Sequence, residues 1–279
     1  TSSLNEKDSD ALLELLLEFK RRGISSILIS HKLNEISKVA DTITVLRDGA
    51  TVSTLDCTAG PVSEERVIRD MVGRNLEDRF PRRESNIGET VLEVSHWTAY
   101  HPLHSDRKVV DDVSFHVRSG EVVGIAGLMG AGRTELAMSL FGRSYGTRIS
   151  GEVRLNGKPA DVSTVGRAIA SGICYATEDR KTYGLVLSKW LFAGPEILIL
   201  DEPTRGIDVG AKTEIYTIVA ELAAAGKAIV VISSEMPELL GICDRLYVMN
   251  EGRLVGEMPV ARASQEAIMK LIIGSAREG

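Results

Sequence analysis

The feature that most constrains the fold of this chain is a glycine-rich stretch, GLMGAGRT, at residues 127–134. It follows an apolar run at residues 121–126 and precedes a predicted helix at residues 132–142. A strand, a glycine-rich turn and a helix in this order surround a phosphate group with backbone N–H groups and a helix N-terminus. The stretch therefore predicts a phosphate-binding loop, although Arg133 stands where such loops have lysine before the hydroxyl residue, here Thr134.

A second apolar run ends in two acidic residues. ILILDE covers residues 197–202, so Asp201 and Glu202 come at the predicted tip of a strand. In proteins that bind nucleoside triphosphates, such an aspartate holds the metal ion and a nearby residue orients the attacking water. A solvated acidic pair is the alternative interpretation. The presence of the glycine-rich loop in the same chain favours a site for ATP and Mg²⁺.

The predicted elements alternate strands with helices, which indicates the α/β class with a parallel core and an antiparallel flank. Continuous apolar runs such as EILILDE and AIVVIS are typical of strands buried on both faces. The alternation in VVDDVSFHV is typical of a half-exposed antiparallel strand. The predicted strands are residues 90–95, 109–117, 121–126, 151–156, 173–177, 196–201, 227–232 and 245–249, and the predicted helices are residues 132–142, 164–171, 209–225, 235–241 and 264–273.

The chain also contains an internal repeat. A displacement of 204 − 1 = 203 positions places residues 1–54 on residues 204–257 without a gap. After a slip of two residues, residues 64–73 match residues 265–274. Because order and spacing hold over some seventy residues, we infer a duplication.

The repeat predicts structure in the first copy. Ser26–Ser30 should form a strand equivalent to Ile229–Ser233, and Thr42–Leu46 should form a strand equivalent to Arg245–Met249. The first copy is then a partial α/β lobe, because it has no counterpart of the glycine-rich loop.

Composition excludes several classes of protein. The net charge of −6 and the pI of about 5.5 argue against nucleic-acid binding, because the chain has no basic surplus to neutralise phosphates. No apolar stretch approaches the roughly 18 residues of a membrane span, so no direct membrane insertion is expected. The first residues are polar and lack the apolar core of a signal peptide. Three separated cysteines without a CxxC pair fit a reducing compartment.

Four stretches together resemble the ATP-binding subunits of ABC importers: GLMGAGRTEL, EDRKTYGL, LILDEPTRGIDVGAK and SSEMPELLG. The nearest likeness is the second nucleotide-binding half of the tandem ATPases that serve ribose, galactose or xylose uptake. The resemblance covers nearly the whole chain and implies a P-loop NTPase core. It also implies that residues 1–75 are the C-terminal part of a first nucleotide-binding domain, residues 76–88 a linker and residues 89–279 a second nucleotide-binding domain.

The resemblance assigns residues to the nucleotide and its metal ion. The implied nucleotide-binding residues are Gly127, Leu128, Met129, Gly130, Ala131, Gly132, Arg133, Thr134, Glu135 and Asp208, with Tyr100 as the aromatic that stacks on adenine and Trp97 as the second choice. The implied ligands of Mg²⁺ are Thr134, Asp201 and Glu178, the last of which stands where most of the family has the Q-loop glutamine.

The implied catalytic residues are Glu202, as the catalytic carboxylate, and Ser234. Ser234 stands where its repeat partner is His31, and where the family has a histidine that contacts the γ-phosphate. A serine hydroxyl forms hydrogen bonds but carries no charge. Arg133 in place of lysine, Glu178 in place of glutamine and Ser234 in place of histidine together predict a degenerate ATP site with weak turnover.

A larger departure concerns the signature motif. No LSGGQ-like sequence occurs in the chain, and only 201 − 133 = 68 positions separate Arg133 from Asp201. This interval is too short for the helical subdomain that carries the signature in the resembled family. We therefore expect that subdomain to be missing, with a junction near Leu187 and Ser188.

The resemblance implies an ATP-binding and ATP-hydrolysing motor subunit that imports a monosaccharide across the inner membrane. It would be peripheral on the cytoplasmic face and docked on transmembrane permease subunits and, through them, on a periplasmic sugar-binding protein. The alternative is a non-catalytic or truncated regulatory module that binds ATP without turnover. A small-molecule kinase or GTPase fits poorly, because neither explains PTRGIDVGAK and the repeat.

Overall fold

The computed structural model describes residues 6–30, 33–47, 49–60, 62–72, 80–81, 83–177, 194–207 and 209–275. The chain divides into two compact units. The first unit comprises Thr1–Arg79 with Gly206–Glu214, and the second comprises Phe80–Arg205 with Ile215–Gly279.

The first unit contains helices and a hairpin. Its elements are α1 (Glu6–Arg21), α2 (Leu33–Val39), β1 (Thr42–Arg47), β2 (Ala50–Asp56) and α3 (Glu64–Val72). Strands β1 and β2 pair in antiparallel fashion. Ile43 and Val45 point to one face of β1, as the period of two requires, and they form a small core with Val67 of α3.

The structure confirms one of the two strands that the repeat predicts in the first copy. Thr42–Leu46 lies within β1. The prediction for Ser26–Ser30 is wrong, because this segment has no regular secondary structure and its residues Ile27 and Ile29 are 94% and 91% exposed. A physical reason is that the equivalent strand of the second unit has a parallel neighbour on each side. Among its described residues, the first unit offers no parallel strand with which this segment could pair.

The second unit is built from two sheets and the helices around them. Its strands are β3 (Thr90–Tyr100), β4 (Lys108–Arg118), β5 (Val122–Gly127), β6 (Thr147–Leu155), β7 (Lys158–Pro159), β8 (Ile173–Ala176), β9 (Ile197–Asp201), β10 (Ala228–Ile232), β11 (Arg245–Asn250) and β12 (Arg253–Pro259). Its helices are α4 (Arg133–Leu140), α5 (Val165–Ala170), α6 (Val209–Ala224, with the residues up to Glu214 assigned to the first unit), α7 (Met236–Ile242), a 3₁₀ turn (Val260–Arg262) and α8 (Gln265–Ser275).

The larger sheet has the strand order β12-β11-β5-β10-β9-β8 within the described residues. All neighbours in it are parallel except β12, which is antiparallel to β11 at the edge. The smaller sheet is antiparallel, in the order β4-β3-β6-β7. Every residue of β9 and β10 is buried, as their continuous apolar runs predict. The structure therefore confirms an α/β fold with a parallel core and an antiparallel flank.

Phe80 and Arg83, within the predicted linker, belong to the second unit and contact other residues of it. The Phe80 ring lies 5.2 Å from the Tyr216 ring between centroids. Arg83 donates a hydrogen bond from Nη1 to the Gly120 carbonyl at 2.6 Å and forms an ion pair with Asp244.

The predictions for residues 178–193, including the missing helical subdomain and the junction near Leu187 and Ser188, lie outside the described residues. In the part of the chain that is described, no helix has both the length and the apolar character needed to span a bilayer.

Candidate functional site

The glycine-rich loop lies at the carboxyl end of β5, the strand that pairs with both β10 and β11 in the larger sheet. Gly127 ends β5 and Arg133 begins α4. The Leu136 N–H donates to the Gly132 carbonyl at 2.8 Å, which closes the first turn of the helix. The structure thus confirms the strand, loop and helix that the sequence predicts.

Two glycines of the loop are required for different reasons. Gly132 has φ 97°, and a Cβ at this position would lie 2.5 Å from the Val109 carbonyl oxygen. Gly130 has φ 80°, but a Cβ there would meet no atom within 4 Å. Close backbone packing therefore fixes the base of the loop, whereas only the left-handed conformation demands glycine at its tip.

The tip of the loop is open and its base is anchored. Leu128 and Met129 are 48% and 92% exposed, and Ala131 is buried. The Ala131 N–H donates to the Leu128 carbonyl at 3.1 Å, and the Ala131 carbonyl accepts from the Gly252 N–H at 2.9 Å. The turn between β11 and β12 therefore supports the loop from behind and leaves its tip accessible to a ligand.

Arg133 directs its side chain towards neighbouring strand ends. Its Nη1 donates to the Ser233 carbonyl, just after β10, at 2.7 Å. Its Nη2 lies 4.0 Å from Glu202 Oε1, and its side chain is only 10% exposed. The guanidinium thus links the start of α4 to the ends of β9 and β10.

The two acidic residues after β9 have different surroundings. Asp201 is 1% exposed, and its Oδ2 accepts a hydrogen bond from the Tyr175 hydroxyl, on the adjacent strand β8, at 2.9 Å. Glu202 is 7% exposed, and its Oε2 accepts from Ser234 Oγ at 2.9 Å. Burial raises the pKa of the Glu202 carboxyl, while the hydrogen bond from Ser234 and the charge of Arg133 oppose that rise.

The structure brings together Arg133, Asp201, Glu202 and Ser234 at the carboxyl ends of β9 and β10. Thr134 and Glu135 lie half-buried in the first turn of α4. Glu178 and Asp208, which the sequence also assigns to this site, lie outside the described residues.

Tyr100 and Trp97 differ in their availability for a nucleobase. Tyr100 ends β3, and Arg148 Cζ lies 4.1 Å from its ring centroid, which covers one face of the ring. Trp97 is 1% exposed and donates from Nε1 to Ser139 Oγ at 2.9 Å. The second choice for adenine stacking, Trp97, is therefore wrong, because its indole belongs to the core.

Sequence reasoning missed two groups in this site. A tyrosine within a buried strand needs a hydrogen-bond partner for its hydroxyl, so Tyr175 in the predicted strand at residues 173–177 offered a signal. The Ser233 carbonyl offered none, because every residue has a backbone carbonyl and only the strand order brings this one to Arg133.

Comparison with known proteins adds the family. The sequence pattern of the family described as ABC transporter matches residues 110–183. The chain is 52% identical to the L-arabinose transport ATP-binding protein AraG of Geobacillus stearothermophilus, over 99% of the chain and 66% of that protein. It is 41% identical to the xylose import ATP-binding protein XylG of Thermoanaerobacter pseudethanolicus, over 98% of the chain and 66% of that protein. It is 37% identical to the ribose import ATP-binding protein RbsA of Clostridium perfringens, over 98% of the chain and 65% of that protein. The chain thus spans slightly less than two thirds of the length of these relatives.

Solved structures agree on the fold. An ATP-binding cassette of an ABC transporter in its ADP conformation aligns with 67% of this chain and all of its own at a TM-score of 0.55, with 18% sequence identity. The protein cbiO1 of Clostridium perfringens, part of the ABC transporter complex cbiONQ, aligns with 68% of this chain and 98% of its own at a TM-score of 0.52 and 19% identity. With the strand–loop–helix site and the relatives that cover nearly all of its residues, the chain belongs to the ATP-binding proteins of the ABC transporter family.

Proposed function

We propose that this chain binds ATP with Mg²⁺ between the loop at residues 127–134 and the carboxyl ends of β9 and β10. It acts as the ATP-binding and ATP-hydrolysing motor subunit of an ABC importer for a monosaccharide, with a degenerate ATP site in the second unit. The observation that carries the proposal is the loop geometry together with Asp201 and Glu202 at the end of a strand of the same sheet. The relatives named for L-arabinose, xylose and ribose support a monosaccharide cargo.

The residues present suit both the nucleotide and the metal ion. A helix N-terminus and an open glycine loop favour an anion, and a Cβ at Gly130 would meet no atom within 4 Å. The buried carboxylate of Asp201 and the hydroxyl of Thr134 are the oxygen ligands that Mg²⁺ prefers. We propose that these two residues, with Glu178, hold the ion, which supplies charge neutralisation of the phosphates when bound.

The side chains of the chain then have separate roles. Glu202 orients a water molecule with its carboxylate, which the Ser234 hydroxyl fixes at Oε2. Tyr100 stacks on adenine with the face opposite Arg148. Asp208 completes the proposed nucleotide-binding residues.

The proposed partners are transmembrane permease subunits and, through them, a periplasmic sugar-binding protein. The proposed location is the cytoplasmic face of the inner membrane, where the chain is peripheral. The support for both is that the relatives are named as transport or import proteins.

The test of the nucleotide site is the substitution Thr134→Ala. We expect the Kd of ATP in the presence of Mg²⁺, measured by isothermal titration calorimetry, to rise by about tenfold or more, or about 1.4 kcal/mol, because one oxygen ligand of the metal is lost. The exposed Thr90→Ala is the matched control and should leave the Kd unchanged. If neither Thr134→Ala nor removal of Mg²⁺ with EDTA changes the affinity, the site is misassigned.

A second candidate function is nucleotide binding without turnover. It is favoured by the contacts of Arg133 with Ser233 and Glu202 and by a serine at position 234. Nucleotide binding without release of phosphate would support this candidate over the motor.

A further inference from the structure

Arg133 occupies the position from which a P-loop lysine reaches the β- and γ-phosphates. We infer that in this chain Arg133 positions Glu202 and Ser233, the residue after β10, instead of binding the γ-phosphate. The site therefore recognises the diphosphate part that ATP and ADP share, and it binds the two nucleotides with similar affinity. The inference rests on the proposed nucleotide site and names the ligand class that this site takes.

The first step is that the protein already holds the Arg133 guanidinium in one orientation, through a hydrogen bond and an ion pair. Nη1 donates to the Ser233 carbonyl at 2.7 Å, and Ser233 is 2% exposed. Nη2 faces Glu202 Oε1 at 4.0 Å. A guanidinium is a planar fork whose donors keep fixed directions, unlike the three rotatable donors of a lysine ammonium. Because the fork is planar and rigid, turning it towards a phosphate breaks the hydrogen bond to Ser233 and moves Nη2 away from Glu202.

The second step concerns the other polar group at this place. Ser234 Oγ donates to Glu202 Oε2 at 2.9 Å. Arg133 and Ser234 therefore both address the carboxylate of Glu202, one at each oxygen. A terminal phosphate would compete with Glu202 for these donors and would bring further negative charge close to a buried carboxylate.

The third step compares the two nucleotides. The α- and β-phosphates are common to ATP and ADP, and the backbone N–H groups of the loop and the start of α4 bind them. The γ-phosphate of ATP must displace existing contacts of Arg133 and Ser234 before it gains its own. Its net contribution to affinity is therefore small, so the two Kd values should agree within about threefold.

The experiment measures the Kd of ATP and of ADP, each with Mg²⁺, for the unchanged chain and for Arg133→Met and Arg133→Lys. We expect a ratio of the two Kd values within about threefold for the unchanged chain and for Arg133→Met. Arg133→Lys should raise the preference for ATP to about tenfold or more, because an ammonium that does not bridge Ser233 and Glu202 is available to the γ-phosphate. The exposed Arg262→Met is the matched control and should leave both Kd values unchanged.

A second measurement needs no nucleotide. Arg133→Met should lower the melting temperature of the nucleotide-free protein by roughly 3–8 °C, since it removes a buried charged hydrogen bond, whereas Arg262→Met should not. If Arg133 served only to bind phosphate and made no stabilising contact in the nucleotide-free protein, Arg133→Met would not lower the melting temperature.

The outcomes separate the two proposals. A tenfold or greater preference of the unchanged chain for ATP, abolished by Arg133→Met, would show that Arg133 binds the γ-phosphate and would overturn the inference. Absence of binding of either nucleotide would overturn the proposed site and, with it, the claim on nucleotide preference. In that case the melting temperatures would still decide whether Arg133 positions Glu202 and Ser233.

Discussion

Glu202 has a φ of 49°, a left-handed conformation that costs a residue with a Cβ roughly 1–2 kcal/mol. Its backbone N–H donates to the Ile232 carbonyl at 2.8 Å, and its carboxylate is held by Ser234 at 2.9 Å. Such conformations persist where the surroundings determine them from several sides, and they cluster at functional sites. The backbone and the carboxylate of Glu202 are thus each held by a hydrogen bond, which suits the proposed role of this side chain in orienting a water molecule.

The two glycines of the loop make a matched pair for mutation. Gly130→Ala should reduce the free energy of unfolding by roughly 1–2 kcal/mol, because alanine must adopt a left-handed conformation in open space. Gly132→Ala should cost more, about 2–5 kcal/mol, since its Cβ also meets the Val109 carbonyl oxygen at 2.5 Å. Urea denaturation of the two variants measures the difference. Equal losses would contradict the close packing at Gly132.

At the residue scale, the sequence predicted where the glycine loop and the acidic pair lie in the fold better than it predicted their contacts. The glycine loop and the acidic pair of Asp201 and Glu202 are local patterns, and the structure places them at strand ends as expected. The partner of Arg133 was not predictable, because Ser233 is 100 residues away and meets it only through the pairing of β5 with β10.

At the scale of the elements, one arginine joins the two sheets. Arg245, the first residue of β11, donates from Nε to Glu121 Oε1 at 2.6 Å and from Nη2 to the His116 carbonyl of β4 at 2.6 Å. Its Nη1 bonds to Glu257 Oε1 on β12 at 2.7 Å. The larger and the smaller sheet are thus connected through a charge that is 11% exposed.

We expect different losses of stability when each of the two carboxylate partners of Arg245 is replaced by alanine. Glu121 is 2% exposed, so Glu121→Ala should cost about 3–5 kcal/mol because it leaves a nearly buried guanidinium without its main partner. Glu257 is 48% exposed, so Glu257→Ala should cost less than about 1 kcal/mol. Chemical denaturation near pH 7 measures both. A loss for Glu257→Ala as large as that for Glu121→Ala would refute this assignment.

His116, whose carbonyl accepts a hydrogen bond from Arg245, makes the stability of the protein depend on pH. Burial, followed by the charge of Arg245, lowers its pKa. In the unfolded chain the pKa of His116 is about 6.5. Between the lowered pKa of the folded protein and this value, the unfolded chain binds more protons than the folded protein does. The free energy of unfolding therefore rises with pH in this range and falls as the pH drops through about 6.5. Asp111 and Asp161 also have lowered pKa values, but their contribution is lost only at more acidic pH.

We therefore expect the unchanged chain to lose more stability between pH 7.5 and pH 5.5 than His116→Asn does. Denaturation curves at the two pH values measure the difference. An equal loss in both proteins would show that the titration of His116 is not coupled to folding.

The elements that the sequence predicted well are those whose periodicity reflects full burial, such as β9 and β10. The sequence missed β12, because RLVGEMP is an edge strand with neither alternation nor a continuous apolar run. It missed β7 because two residues carry no period. The opposite error occurred at Ser26–Ser30, where the apolar pattern resembles that of a buried strand but the described part of the first unit contains no parallel strand for it to pair with.

At the scale of the whole molecule, the alignment with the arabinose relative runs over 338 residues, against 279 in this chain. At least 338 − 279 = 59 positions of that alignment therefore have no residue of this chain opposite them. The missing helical subdomain and the junction near Leu187 and Ser188 stay predictions.

We expect negligible steady-state ATP hydrolysis by this chain alone. The chain has no signature motif, and Arg133 and Ser234 address Glu202. Removal of one positioned donor from a reacting group typically lowers a rate by about 10²–10³-fold. Phosphate release by the purified chain is the measurement, with Glu202→Gln as the control. Vigorous turnover that Glu202→Gln abolishes would contradict the prediction.

The strand order of the larger sheet also sets the order of events during synthesis. Val122 of β5 pairs with Ile229 of β10, which is 229 − 122 = 107 residues further along the chain. At about 5–20 residues per second, a ribosome needs roughly 5–20 s to deliver that partner after β5 has emerged. Throughout this interval the apolar strand that precedes the phosphate-binding loop is exposed on the nascent chain, and pairing over so long a separation is intrinsically slow. The nucleotide-binding loop thus reaches its final form late, only after β10 has left the ribosome, and until then the strand that carries the loop lacks a parallel neighbour that it has in the folded protein.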